Sequence, residues 1–108
     1  HPALSDDPGH ILWKRDFKGA TGLFSAILNP VPKPALARFL DGLKLFGMGY
    51  SWGGYESLVI PFDCGPYRTA TRWSTPGPAL RFHAGLENVD DLIADLAAGF
   101  DRMKAVAS

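Results

Sequence analysis

The ten residues Gly49-Tyr50-Ser51-Trp52-Gly53-Gly54-Tyr55-Glu56-Ser57-Leu58 constrain this chain more than any other stretch. An apolar helical pattern precedes them and an apolar β-like run follows, so the chain changes from one local structure to the other through this segment. Gly49, Gly53 and Gly54 permit backbone conformations closed to residues with a Cβ, which lets the chain bend sharply and bring amides or a hydroxyl close to a ligand. Two tyrosines and a tryptophan would wall such a loop.

Gly49-Tyr50-Ser51-Trp52-Gly53 also matches the G-x-S-x-G of a serine hydrolase nucleophile elbow, and Asp63 and His83 follow in the order of a triad. That motif needs a strand before the serine and a helix after it. Here the preceding residues read as helix, and Glu56-Ser57-Leu58-Val59-Ile60-Pro61-Phe62 puts β-branched residues and a proline where the helix belongs. Out of its setting the motif is weak, and neither a general base nor an oxyanion hole can be argued at Ser51.

A chain of 108 residues forms one small domain with one core, burying roughly 60–70% of its unfolded surface. Its residues are 46% apolar and 20% charged, the balance of an ordinary globular protein. Eleven Lys plus Arg against eleven Asp plus Glu leave no net field for nucleic acid or an anionic membrane, and no apolar run is long enough to span a bilayer. Neither partner is expected. Cys64 stands alone, which excludes an internal disulfide and suits a reducing, cytoplasmic setting; in Asp63-Cys64-Gly65-Pro66 it has no evident activating partner. His1 and His10 lack a close Cys or His to complete a ligand set, so no metal site is expected. With no initiator methionine and no signal segment, His1 reads as the interior of a longer protein.

Residues 1–10, rich in Pro, Asp and Gly, read as a loose lead-in. Between Phe17 and Leu28, Leu23 and Ile27 fall on one face of a strand and Phe24 and Leu28 on the other, predicting a first central strand covered on both sides, with Gly19 and Gly22 marking a bulge. Asn29-Pro30-Val31-Pro32-Lys33-Pro34 stops that strand, and Pro34 fits the first turn of a helix. Leu36, Phe39, Leu40 and Leu43 give that helix its apolar stripe, with Lys44 at its negative end. Ser57 to Phe62 predicts a short strand. Tyr67 to Pro78, which carries Arg68, Arg72 and Trp73, reads as a solvated connection, although an extra edge strand can arise around Trp73.

Ala79 to Ala84 predicts a strand with Leu80, Phe82 and Ala84 turned to the core and Arg81 and His83 turned to a cleft. Gly85 turns the chain. Asn88 can cap a final helix whose first turn holds Asp90 and Asp91, whose stripe is Val89, Leu92, Ile93, Leu96, Phe100 and Met103, and whose end holds Arg102 and Lys104. Strand, helix, strand, strand, helix implies an α+β two-layer sandwich: a small, mainly antiparallel sheet with the helices packed on one face.

Arg81, facing a glycine-rich loop, is suited to clamp a carboxylate through a bidentate pair; a structural salt bridge with Glu56 or Glu87 would use it equally well. Two separated segments carry a family resemblance. Tyr50-Ser51-Trp52-Gly53-Gly54-Tyr55-Glu56-Ser57-Leu58, and then Leu80-Arg81-Phe82-His83-Ala84-Gly85-Leu86-Glu87-Asn88-Val89-Asp90-Asp91-Leu92-Ile93-Ala94-Asp95-Leu96, resemble the C-terminal domain of bacterial cystathionine β-lyases, within the Cys/Met-metabolism group of pyridoxal-phosphate (PLP) enzymes.

The resemblance implies the C-terminal domain of a fold-type I PLP enzyme, the whole protein eliminating L-cystathionine to homocysteine, pyruvate and ammonia in methionine biosynthesis. It implies that the arginine of R-x-x-x-G-x-E, here Arg81 with Gly85 and Glu87, binds the substrate α-carboxylate, and that Ser51 of S-x-G-G lies in the same site with Tyr50 and Trp52. Trp52 favours β-lyase, because synthases and γ-lyases usually have leucine before the two glycines. The cofactor lysine belongs to a Ser/Thr-rich segment of a larger upstream domain; Lys14, Lys18, Lys33, Lys44 and Lys104 have no such surroundings. The resemblance therefore implies a single-domain fragment, 1–108, that lacks the PLP-binding domain, holds no cofactor or catalytic residue alone, and joins a homotetramer when whole. A non-catalytic amino-acid-binding module would use the same Ser51 and Arg81 cleft.

Overall fold

A computed structural model describes residues 1–107. The elements are α1 (His10–Asp16), β1 (Leu23–Ile27), α2 (Lys33–Asp41), β2 (Gly47–Met48), β3 (Leu58–Phe62), β4 (Ala79–His83) and α3 (Val89–Ala107). The four strands form one sheet in the order β1-β4-β3-β2. β4 runs antiparallel to both β1 and β3, and only the two-residue β2 lies parallel to its neighbour. The expected α+β two-layer sandwich with a mainly antiparallel sheet is what the chain forms. None of the described helices is long and apolar enough to cross a membrane.

The core follows from the alternation along β4. Leu80 and Phe82 point to the helical layer and are buried, meeting Val59 of β3, Phe39 and Leu40 of α2 and Leu92 and Met103 of α3. Phe82 stacks on Phe24 at 5.2 Å and meets Phe46 edge-on at 5.8 Å. Helix α2 starts at Lys33 with proline in its first turn, as expected. Asn88 caps α3, its Oδ1 accepting from the amides of Asp90 (2.9 Å) and Asp91 (3.3 Å).

Several expectations are corrected. β1 is an edge strand, not a central one, and only its Phe24 and Ala26 face packs on the core while Ile27 is exposed. Gly22 makes no bulge; a Cβ there would stand 2.1 Å from the Ala84 carbonyl oxygen, so the glycine serves close backbone approach. The other edge is Gly47–Met48, not the loop around Trp73, whose ring packs on Phe62 at 5.7 Å under the Arg68 guanidinium at 5.0 Å. Residues 10–16 form a helix beyond the lead-in, one that buries none of its side chains and so leaves no apolar stripe to read. On α3, Val89 and Ile93 are 64% and 60% exposed; the buried line is Leu92, Gly99 and Met103, because the glycine lets the Phe39 ring approach the helix backbone.

Candidate functional site

On the sheet face away from the helices, the odd residues leaving β4 hold the glycine-rich loop one after another. Arg81 Nη2 donates to the Tyr50 carbonyl. His83 Nε2 donates to the Gly54 carbonyl at 2.9 Å. Beyond the strand, the Gly85 amide donates to Ser57 Oγ at 2.8 Å and the Leu86 amide to the Tyr55 carbonyl at 2.8 Å. Period-two alternation along β4 thus sends Arg81 and His83 to the loop, as the sequence implies.

Ser57 anchors the end of the loop. It is 1% exposed; its hydroxyl donates to Glu87 Oε2 at 2.7 Å and its amide to Glu87 Oε1 at 2.9 Å. The Ser57 amide first, and then the hydroxyl and the backbone amide of Glu87 itself, hold the Glu87 carboxyl below the ordinary glutamate range. Gly85 is required at this junction, because a Cβ would stand 2.2 Å from the Tyr55 carbonyl oxygen. Ser57 went unnoticed in the sequence, where it reads as the polar start of a strand. Its signal is a small hydroxyl residue abutting an apolar run, with a glutamate two residues after a glycine on the next strand's exit.

The structure brings Arg81 to Tyr50 through the Tyr50 backbone; the Tyr50 ring itself is 81% exposed. Among the described residues Arg81 has no carboxylate partner, because Glu87 is committed to Ser57 and Glu56 makes no ion pair. Ser51 is exposed. Trp52, 59% exposed, lines a groove of about 320 Å³ with Thr21, Gly22, Gly54, His83 and Leu86. A neighbouring hollow of about 500 Å³ beside α1, around Leu12, Trp13 and Phe17, shares Thr21 with that groove and is lined by none of Tyr50, Ser51, Trp52 or Arg81.

A nucleophile elbow is not formed. Bends rather than a helix follow Ser51, and His83 is occupied by Gly54. Phe62 pairs with Ala79 while Leu58 pairs with His83, so Asp63 lies past the far end of the ladder, on the order of 15 Å from His83. The chain's residues do not fit PLP either. Covalent attachment of PLP needs a lysine within the cleft, and Lys14, Lys18, Lys33, Lys44 and Lys104 are all exposed and outside the groove lining.

Fold and loop together define an α+β domain with an arginine-bearing open face. Residues 1–101 match the Cys/Met metabolism PLP-dependent enzyme family, and the chain belongs to that family. It is 52% identical over 107 residues to a cystathionine β-lyase of Salmonella typhimurium and 50% identical over 107 residues to the cystathionine β-lyase MetC of Escherichia coli, 95% of this chain matching in each case. The chain spans 27% of the length of each of those relatives. Among solved structures it resembles cystathionine γ-synthase from Xanthomonas oryzae pv. oryzae, in complex with aminoacrylate and cysteine, with a TM-score of 0.76 and 33% identity over 96% of this chain and 28% of that one.

Proposed function

We propose that residues 1–108 are the C-terminal, substrate-carboxylate-binding domain of a PLP-dependent cystathionine β-lyase whose lysine-bearing cofactor domain lies outside them. The observation that carries this reading is Arg81, half-buried on the open face, oriented by the Tyr50 carbonyl and without a carboxylate partner among the described residues. A guanidinium has five N–H donors in a planar fork, so the bond to Tyr50 leaves donors to span the two oxygens of an amino-acid α-carboxylate. Ser51, Tyr50 and Trp52 form the rim that the rest of the substrate meets. Identity of 52% and 50% to β-lyases, against 33% to the γ-synthase of known structure, favours L-cystathionine cleavage to homocysteine, pyruvate and ammonia. The whole enzyme acts in the cytoplasm as a homotetramer.

The test is Arg81→Lys in the whole enzyme. Lysine keeps the charge but cannot offer the fork, so kcat/KM for cystathionine is expected to fall on the order of 30-fold to several-thousand-fold while cofactor absorbance stays unchanged. A near-normal kcat/KM, or a loss explained by cofactor release, would assign Arg81 a structural role instead.

A further inference from the structure

We propose that His83 is a positioning residue for substrate binding: its imidazole holds the Gly53-Gly54 turn and thereby sets where Trp52 stands over the groove. His83 is 7% exposed and lies two residues from Arg81 on the same face of β4. A carbonyl oxygen only accepts, so the 2.9 Å contact with Gly54 requires the ring proton on Nε2. The other ring nitrogen, Nδ1, is buried without a partner among the described residues. Between its cross-strand neighbours Leu23 and Leu58, an aliphatic side chain would fill the space without that orphaned atom. What the imidazole supplies and an aliphatic residue cannot is the bond to Gly54.

The turn needs such a hold. Gly53 has φ +87, and nothing lies within 4 Å of an ideal Cβ at Gly53 or at Gly54, so packing does not fix the middle of the loop. Trp52 immediately precedes this turn and shares the groove lining with His83. The hold on Trp52 is inferred from the His83–Gly54 bond and the shared groove alone, and its consequence for substrate rests on the lyase reading above.

The experiment compares His83→Leu, which removes the donor, with His83→Gln, whose amide N–H reaches the Nε2 position, both in the whole enzyme. If the leucine variant fails to fold by circular dichroism, His83→Asn removes the same bond, because its shorter amide stops at the Nδ1 position. Trp52 accessibility is read by acrylamide quenching, as the difference from a Trp52→Phe partner in each background. Losing one buried hydrogen bond is expected to raise KM for cystathionine about tenfold with a smaller change in kcat, and to raise Trp52 quenching, while glutamine restores both to within about threefold. Wild-type KM and quenching in the donorless variant, or a glutamine variant as defective as it, would overturn the proposal. Quenching is read without substrate. An enzyme that does not cleave cystathionine therefore overturns the lyase reading, whereas a changed quenching still supports the hold on Trp52 and an unchanged one still sinks it.

Discussion

Glu87 ties the glycine-rich loop to the entry of α3 through one buried serine, and this gives R-x-x-x-G-x-E a physical content for each of its fixed positions. Arg81 reaches the start of the loop, Gly85 lets the Tyr55 carbonyl approach, and Glu87 accepts both the amide and the hydroxyl of Ser57. Glu87→Ala strips two charge-assisted bonds and leaves the Ser57 amide without its acceptor, so a loss of about 2–3 kcal/mol is expected in urea denaturation. The pH dependence follows from the lowered carboxyl pKa of the folded state. A depressed folded pKa contributes stability that is present above the ordinary glutamate pKa and is lost as pH falls through the folded value. Stability measured from neutral pH downward should therefore decline less steeply in Glu87→Gln than in the wild type, and identical slopes would remove Glu87 from the acid response.

At the level of elements, α3 does more than cover the sheet. Asp95 projects from its second turn, and its carboxylate accepts from the amides of Lys44 (2.9 Å), Leu45 (2.8 Å) and Phe46 (3.4 Å), fixing the chain as it leaves α2 and enters β2. Phe46, placed by that turn, meets the Phe82 ring edge-on, in addition to the Phe24 ring stacked on it. Asp95→Ala removes the acceptor of three successive amides, and a destabilisation of about 2–3 kcal/mol is expected; Asp95→Asn, which retains one oxygen, should cost less. Equal stability of Asp95→Ala and the wild type in thermal or urea unfolding would mean that solvent replaces the carboxylate without penalty.

For the molecule as a whole, the radius of gyration is 15.0 Å, against about 13 Å for a compact chain of this length. The excess fits an N-terminal arm that folds on itself: Trp13 stacks with His10 at 5.9 Å, His10 Nδ1 donates to the Pro2 carbonyl at 2.8 Å, and α1 buries none of its residues. With so little apolar surface removed from water, α1 is expected to open locally. Hydrogen exchange should replace the amides of residues 10–16 well before those of β4 and β3, which lie in the middle of the sheet. Protection of α1 equal to that of β4 would show that the arm is held by more than its own contacts.

Local periodicity made much of this chain readable. The alternation that separates Leu80 and Phe82 from Arg81 and His83, the α2 stripe with its proline start, and the Asn88 cap of α3 are each set by residues within a turn or two of one another. The loop's glycines likewise announced the bend at Gly53. Partners distant in sequence were not readable. β1 went to an edge and Gly47–Met48 became a strand because pairing is chosen by the whole sheet, and Val89 and Ile93 stayed exposed because α2 covers only part of the α3 stripe. Asp95 with the amides of 44–46, Glu87 with Ser57 and His83 with Gly54 are polar contacts across 29 to 51 positions of chain. Such contacts leave no trace in hydropathy. The sequence by itself determined that Arg81 and His83 leave β4 on the face opposite Leu80 and Phe82, and the tertiary structure decided what each of them holds, because a hydrogen bond needs both partners placed within about 3 Å and only the folded backbone places them.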